Sequence, residues 1–296
     1  VSATVAANGT ADYLTLQEAY DNELDRAIIE VGDGVYEGLS AWEDKRMLWL
    51  ANPSSPAQPV TITNSSWSAI GLYSDTAFDG FAFQDNNGYA AYIGSGTTGF
   101  INCLFSGNSG GSPAGAVYAD YGTKVSLIHC TLIGNSANDA ASSGANAIYA
   151  DWDATLIIRN SILWTPSATN TLPEIEAPYA TVSATHSIIR GGQYGRIDQA
   201  PGLLSNGWMT ANSPARQVGA SGWSARDVHG ETRPTTPAPD LGWDQLVDLD
   251  TDGLPDWWEL EYFGSIATQD SQADSDSDGL SNADEFALGT NPALAD

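Results

Sequence analysis

The first 235 residues form a succession of short runs in which hydrophobic and polar residues alternate, and clusters of Gly, Asn and Ser separate the runs. A period of two is typical of half-buried β-strands. One run, Ala116-Val-Tyr-Ala-Asp-Tyr121, returns 31 residues later as Ala147-Ile-Tyr-Ala-Asp-Trp152. A second type of run recurs in step with it, as Gly80-Phe-Ala-Phe83, Asn102-Cys-Leu-Phe105, His129-Cys-Thr-Leu132, Asn160-Ser-Ile-Leu163 and His186-Ser-Ile-Ile189.

A repeat of 22 to 31 residues built from short strands indicates one coil of a parallel β-solenoid. Variable spacing fits this architecture, because loops can be inserted at turns while strands stay stacked about 4.8 Å apart. An antiparallel sandwich also has many short strands, but it would not repeat one string at equivalent positions. We therefore predict an all-β fold with a parallel β-helix over residues 1–235, right-handed by the rule for crossover connections.

Two further features follow from this prediction. The string Thr15-Leu-Gln-Glu18 is a capping box and predicts a short helix that covers the N-terminal end of the coils. The alternation places Cys103 and Cys130 inside adjacent coils, where we expect buried thiols and leave a disulfide open.

The chain resembles a known family at both ends of the repeats. Leu14–Tyr20 (LTLQEAY) and Ile28–Tyr36 (IIEVGDGVY) look like the opening of right-handed parallel β-helix proteins of the pectin-lyase-like superfamily. Ser213–Ala215, Asp227–Arg233 (DVHGETR) and Asp240–Gly242 are similar to the terminal signature of bacterial surface β-helix proteins. The resemblance implies a fold more than an activity, since this fold hosts lyases, hydrolases, adhesins and structural proteins.

Charge changes the picture of possible partners. Thirty-seven acidic and ten basic residues give a formal charge of −27. Such a surface repels phosphate backbones, and no apolar run approaches the ~20 residues that cross a bilayer. We therefore expect neither nucleic-acid binding nor membrane insertion. Because the chain opens at Val1 and not at Met, we also expect a secreted or cell-surface protein whose signal peptide has been removed.

The acidic residues are concentrated at the C-terminal end. Residues 240–296 contain fifteen acids and no Lys or Arg. A Pro-rich segment precedes most of them and predicts a linker over residues 236–247, followed by a separate module over residues 248–296.

This module contains two copies of one spacing. Oxygen ligands at loop positions 1, 3, 5, 7, 9 and 12, with Gly at position 6, are what a twelve-residue calcium loop requires. The two sets of predicted ligands are Asp248, Asp250, Asp252, Leu254 (through its carbonyl), Asp256 and Glu259, and Asp274, Asp276, Asp278, Leu280 (through its carbonyl), Asn282 and Glu285. We predict two Ca²⁺ sites in an EF-hand-like module. The loops resemble thrombospondin type 3 and dockerin repeats, but no helix enters the first loop.

Candidate catalytic residues are few. Asp120 and Asp151 occupy equivalent positions one coil apart, and Asp153 is near; two such carboxyl groups can act as acid and nucleophile on a glycoside or hold a metal. The alternative is a set of solvent-facing acids at strand ends. Five Trp residues have two interpretations, a sugar-binding stripe or packing in the core and between loops: Trp42, Trp67, Trp152, Trp164 and Trp223.

The sequence favours a structural, adhesive or self-assembling surface protein stabilised by calcium, and a non-enzymatic role, because recognisable catalytic motifs are missing. Because the two ends of a solenoid differ from each other, we expect head-to-tail association through the C-terminal module, which would produce filaments. The alternative is a polysaccharide lyase or glycoside hydrolase that acts on acidic glycans. A glycan-binding adhesin without turnover is a third possibility.

Overall fold

A computed structural model describes residues 1–53, 59–63, 65, 67–137, 144–166, 171–204 and 206–295. The strands, in chain order, are β1 (Ala3–Val5), β2 (Ala27–Val31), β3 (Val35–Tyr36), β4 (Leu39–Ala41), β5 (Met47–Ala51), β6 (Val60–Ile62), β7 (Ser68–Leu72), β8 (Thr76–Asp79), β9 (Phe81–Gln84), β10 (Tyr89–Ile93), β11 (Thr97–Ile101), β12 (Leu104–Ser106), β13 (Val117–Ala119), β14 (Lys124–Ile128), β15 (Thr131–Ile133), β16 (Ile148–Ala150), β17 (Thr155–Arg159), β18 (Ile162–Trp164), β19 (Ile175–Glu176), β20 (Thr181–Thr185) and β21 (Ile188–Ile189). The helices are α1 (Leu16–Asn22), α2 (Asp256–Phe263) and α3 (Asn282–Leu288), with a 3₁₀ turn at Gln193–Gly195.

These strands form three sheets. Sheet I has eight strands in the order β1-β2-β5-β8-β11-β14-β17-β20, sheet II has seven in the order β3-β6-β9-β12-β15-β18-β21, and sheet III has six in the order β4-β7-β10-β13-β16-β19. Every pairing between the named strands is parallel, and each coil adds one strand to each sheet in turn. The predicted parallel β-helix is confirmed, and the antiparallel sandwich is excluded.

The interior of the coils is filled by the inward positions of the alternating runs. Phe78 and Phe100 stack at 5.9 Å between ring centroids, and Phe83 stacks on Phe105 at 4.8 Å. Cys103 and Cys130 are fully buried and are free thiols, so the two residues form no disulfide in this structure. Stacked rings in successive coils exclude water along the axis and stabilise the solenoid.

The turn between sheets I and II repeats one backbone conformation. Its residue has positive φ in five successive coils, with 84° at Gly80, 48° at Asn102, 52° at His129, 51° at Asn160 and 45° at His186. Gly and Asn tolerate this left-handed region best, which explains why the second type of run begins with a small or polar residue.

Sheet II is covered on its outer face by the C-terminal part of the chain. Leu104 and Ile133 point outward there and pack with Trp243, Trp257 and their neighbours in one buried cluster. A second cluster joins Ile162 and Ile188 to residues of the same C-terminal part, namely Met209, Ala215, Leu241 and Leu246. The outer face of sheet II is therefore covered from β9 to β21, whereas Val35 on β3 is exposed.

The segment predicted as a linker takes part in this packing. Leu241 and Trp243 are at most 1% exposed, and the carboxyl group of Asp240 accepts hydrogen bonds from the backbone N–H groups of Gln217 and Leu246. The segment is thus fixed against the coils. The predicted domain boundaries, after residues 235 and 247, stay a prediction.

Helix α1 begins at the predicted capping box. Thr15 Oγ1 accepts from the Glu18 N–H, and the Glu18 carboxylate accepts from the Thr15 N–H. Leu16, Ala19 and Tyr20 are buried in the same core as the first coil. Within the residues that the structure describes, no helix has the length and apolar character needed to cross a membrane.

Candidate functional site

The outer face of sheet III carries a column of tyrosines. Tyr92, Tyr118 and Tyr149 are paired in register on β10, β13 and β16, and their rings contact edge to face at 5.4 and 5.7 Å. Half-buried rings in this arrangement hold one another in place. We call this column, together with the exposed Trp67 and Trp152 at its margins, the aromatic face.

Asp120 and Asp151 follow β13 and β16 directly and lie at the edge of the aromatic face. The Tyr92 hydroxyl donates to Asp120 Oδ2, and the Tyr118 hydroxyl donates to Asp151 Oδ2 at 3.4 Å. The other oxygen of each carboxylate accepts from the next backbone N–H at 2.7 Å. Each carboxylate is therefore oriented by a tyrosine of the preceding coil and by its own turn.

The same contacts act on the tyrosines. Burial raises the pKa of Tyr92 well above its usual range, and the hydrogen bond to Asp120 raises it further. Burial and the charges of Asp120 and Asp151 do the same for Tyr118. Both phenols therefore stay protonated near neutral pH and remain donors to the carboxylates.

The other candidates lie apart from this arrangement. Asp153 is exposed and has positive φ, 57°. Lys124 is exposed at the start of β14, and the Arg159 guanidinium lies 4.0 Å from the ring centroid of Trp223 on sheet I. The two bases nearest in sequence to the acids therefore belong to another sheet.

The predicted tryptophan stripe is divided among surfaces. Trp42 stacks on Tyr73 at 4.5 Å, Trp67 is tilted against Tyr92 at 5.1 Å, and Trp152 lies 4.3 Å from Tyr179. Trp164 packs with the C-terminal part over sheet II, and Trp223 lies beside sheet I. The five residues do not form one stripe.

The two acidic loops have the same backbone conformation. In each, positive φ occurs at positions 4 and 6: 64° and 101° at Thr251 and Gly253, 66° and 104° at Ser277 and Gly279. The Gly N–H donates to the position 1 carboxylate at 3.2 Å in the first loop and 3.1 Å in the second. These contacts turn the carboxylates at positions 1, 3 and 5 toward one another, in the two groups Asp248, Asp250 and Asp252, and Asp274, Asp276 and Asp278.

Glu259 supplies the test of whether the first loop fits a cation. Its side chain is fully buried on the first turn of α2, and neither carboxylate oxygen has a hydrogen-bond partner. Burial, and then the charges of the neighbouring carboxylates with Asp250 first, raise its pKa to about 8. A buried carboxylate without a donor, facing other carboxylates, is the setting that a hard cation stabilises, so the donor set fits Ca²⁺.

Position 9 has another role in this structure. Asp256 Oδ1 accepts from the Leu249 N–H, and Asn282 Oδ1 accepts from the Ser275 hydroxyl, each at 2.8 Å. Both side chains brace the start of their own loop. The first loop also contacts the segment that precedes the second, because Asp252 Oδ2 accepts from the Ser271 N–H at 2.7 Å. Calcium binding by the predicted ligands stays a prediction.

Three parallel sheets wound in successive coils define this chain as a parallel β-helix protein. It is similar to two solved structures, the pectin methylesterase from carrot (12% identity, TM-score 0.34, 66% of this chain and 85% of that one) and the pectin methylesterase from Aspergillus niger (15% identity, TM-score 0.30, 67% of this chain and 88% of that one). No protein-family model and no curated protein matches the chain.

These matches correct one expectation. The expectation of a protein without catalytic activity finds no support in this comparison: the similar structures are those of enzymes. At this identity the likeness concerns the fold, and it assigns no catalytic residue in this chain. Nothing in it supports a bacterial surface protein, an adhesin or a filament.

Sequence reasoning overlooked the tyrosine column. The signal was present, because Tyr92, Tyr118 and Tyr149 hold the same place in three repeated strings. It also overlooked a group of ionisable residues that the fold brings together, namely Asp227, His229, Glu231 and Asp244.

Proposed function

We propose that this protein is a secreted, calcium-loaded β-helix enzyme that acts on acidic glycans, with the aromatic face as the substrate platform. The aromatic face carries the proposal: three tyrosines in register, exposed tryptophan rings at the margins, and two oriented carboxylates at one edge. The apolar faces of sugar rings pack against exposed aromatic rings, and carboxylates beside them can reach the glycosidic bond.

The spacing of the two acids suits cleavage of a glycoside. Asp120 and Asp151 follow paired strands, so they lie one coil apart, about 4.8 Å along the stack. Carboxyl groups about 5 Å apart serve as acid and nucleophile in retaining glycosidases. One would protonate the glycosidic oxygen while the other attacks the anomeric carbon, and water would then release the sugar. In a lyase, one of them would instead remove the proton beside the uronate carboxylate.

The charge of the chain sets a condition on the substrate. A formal charge of −27 repels a polyuronate, so productive binding requires a cation between the uronate carboxylates and the acids of the face. Calcium at millimolar concentration would serve here and would also fill the two acidic loops, where Asp248, Asp250, Asp252, Asp256 and Glu259, and Asp274, Asp276, Asp278, Asn282 and Glu285, would supply side-chain oxygens.

The test is a screen for product with pectate, alginate and sulfated glycans in millimolar Ca²⁺. Release of reducing ends indicates hydrolysis, and an added ultraviolet absorbance of unsaturated uronate indicates a lyase. Asp120→Asn and Asp151→Asn are expected to lower kcat by about 100-fold or more, which is the contribution of a positioned acid or base.

Asp153→Asn is the matched control, because this acid is two residues from Asp151, exposed and off the column. It is expected to keep wild-type activity. Full activity in the Asp120→Asn/Asp151→Asn double variant, or no product from any glycan, would count against the proposal. Head-to-tail association stays a prediction, to be checked by light scattering with and without a chelator.

A further inference from the structure

Four ionisable side chains meet in the interior between the coils and the C-terminal part. They are Asp227, His229 and Glu231 from a tight hairpin, and Asp244 from the segment that covers sheet II. One ligand atom from each lies within 4.8 Å of all the others. Asp227 and Glu231 lie opposite each other in the hairpin, since the Asp227 N–H donates to the Glu231 carbonyl, and His229 lies in the turn between them.

Several polar atoms of His229, Glu231 and Asp244 lack hydrogen-bond partners. The side chains of His229 and Asp244 are 1% and 2% exposed, yet neither ring nitrogen nor either Asp244 oxygen makes a hydrogen bond. Glu231 Oε2 is also buried without a donor. Buried polar atoms are almost always hydrogen-bonded, and a buried carboxylate without a counter-charge is costly. The cluster is therefore incomplete as it stands.

The neighbouring arginine does not complete it. The Arg233 guanidinium is buried nearby, but its Nη2 donates to the carbonyls of Gly242 and Trp243 at 2.9 Å and to Asn102 Oδ1 at 3.2 Å. None of the ion pairs in the described part of the chain joins Arg233 to the cluster. Its Nη2 hydrogen bonds are to carbonyl oxygens, and its charge attracts Asp227 and Asp244 without an ion pair to either.

A proton on His229 does not complete it either. His229 Nδ1 lies 3.3 Å from Asp244 Oδ1, so an imidazolium would pair with that one oxygen. His229 Nε2, Asp244 Oδ2 and Glu231 Oε2 would still lack partners. Asp227 already accepts three backbone N–H groups, from His229, Glu231 and Gln245, and these fix its carboxylate in the cluster.

We propose that Asp227, His229, Glu231 and Asp244 form a structural binding site for a divalent transition metal ion, with Zn²⁺ the best match. One imidazole and three carboxylates suit Zn²⁺, whereas Ca²⁺ and Mg²⁺ take oxygen ligands. Ligand atoms around a tetrahedral Zn²⁺ lie about 3.4 Å apart. His229 Nδ1 and Asp244 Oδ1 are already 3.3 Å apart, and the other separations, all within 4.8 Å, need to contract by at most about 1.4 Å.

The position of the site gives it a role. The His229 ring packs against the rings of both Trp208 and Trp257, at 4.7 and 4.2 Å between centroids, and these two rings contact each other at 5.2 Å. Trp257 belongs to α2 of the acidic module. Four protein ligands in a buried place leave no open position for a substrate, as in structural zinc sites. The ion would fasten the hairpin, the segment that contains Asp244 and α2 to sheet II. This inference is independent of the proposed glycan activity.

The test uses the full chain, stripped of metal and dialysed against millimolar Ca²⁺ so that the acidic loops are saturated. Titration with Zn²⁺ and measurement of bound metal are expected to give one equivalent that excess Ca²⁺ does not displace. Glu231→Gln and His229→Gln are expected to weaken Zn²⁺ binding by at least about 10- to 100-fold, the loss that even an outer-shell change causes.

His186→Gln is the matched control, because this His is exposed and lies far from the cluster in sequence; it is expected to bind like the wild type. Substitution with Co²⁺ gives a second measurement on the unaltered chain, and visible bands of a four-coordinate ion with nitrogen and oxygen ligands are expected. Displacement of Zn²⁺ by Ca²⁺, equal affinity in Glu231→Gln and His229→Gln, or only six-coordinate Co²⁺ would overturn the proposal.

Discussion

His129 gives the most direct test of how the coil turns are held. Its imidazole is 1% exposed in the turn between sheets I and II. Asn160 Nδ2 lies 2.9 Å from His129 Nε2, and Asn160 Oδ1 accepts from the Ala220 N–H, which orients the amide as the donor to the ring. A protonated ring would turn an N–H toward that donor. Burial, and then the charge of Arg233, lower the pKa of His129 to about 3.

The sign and size of the effect follow from this pKa. An unfolded chain takes up a proton on His below pH ~6.5, whereas the folded chain does not until about pH 3. The folded state therefore loses stability as the pH falls from 6.5 toward 3 and gains none above 6.5. At one pKa unit per 1.36 kcal/mol, the loss from this residue is about 2.7 kcal/mol at pH 4.5.

The variant His129→Asn removes the pH-dependent loss of stability that this imidazole causes. It also keeps a residue that tolerates positive φ, as Asn102 and Asn160 do at the equivalent positions. At pH 7.5 we expect it to be less stable than the wild type by about 1 kcal/mol, since one hydrogen bond is lost. At pH 4.5 the variant should instead be more stable than the wild type, by about 2 kcal/mol in the free energy of unfolding. Urea unfolding at both pH values in fixed Ca²⁺ measures this, because other acid effects cancel between the two proteins.

His186→Asn, at the exposed equivalent position, is the control and should show no such reversal. The same free-energy difference between wild type and His129→Asn at both pH values would refute the reasoning.

Three further predictions concern the C-terminal part and the aromatic face. Trp243→Ala should destabilise the fold by about 3 to 5 kcal/mol, because the ring is 1% exposed and stacks on Trp208 at 4.3 Å between centroids. Trp42 is 66% exposed, so Trp42→Ala should destabilise the fold by less than about 1 kcal/mol. Equal shifts of the two variants in thermal unfolding would contradict this. Calorimetric titration should find two Ca²⁺ per chain, and Glu259→Gln should lower the affinity of one site at least about tenfold while the affinity of the other is unchanged. Wild-type affinity at both sites of Glu259→Gln would count against a Ca²⁺ site in the first loop. Trp152→Ala should raise KM for a glycan substrate more than it lowers kcat, which steady-state kinetics with the active glycan will decide.

Some residues of the candidate sites could be found from the sequence, but their partners could not. Asp120 and Asp151 were found because they sit in repeated strings, yet their tyrosine partners come from the preceding coil, about 30 residues away. The cluster around His229 was harder to find. Asp244 lies on a different segment from the hairpin, and its carboxylate reaches His229 only through the packing on sheet II.

The sequence by itself determined the coil, its interior and the two acidic loops, because each depends on spacing within a short stretch. Period two sets the face of a strand, a capping box starts α1, and a Gly at position 6 turns a calcium loop. Only the tertiary structure decided what lies on the outside. Leu104, Ile162 and Ile188 face away from the interior, and nothing local says that Trp243, Leu241 and Met209 cover them. Burial of an outer face depends on contacts between residues about 20 to 140 positions apart, so local spacing could not predict it.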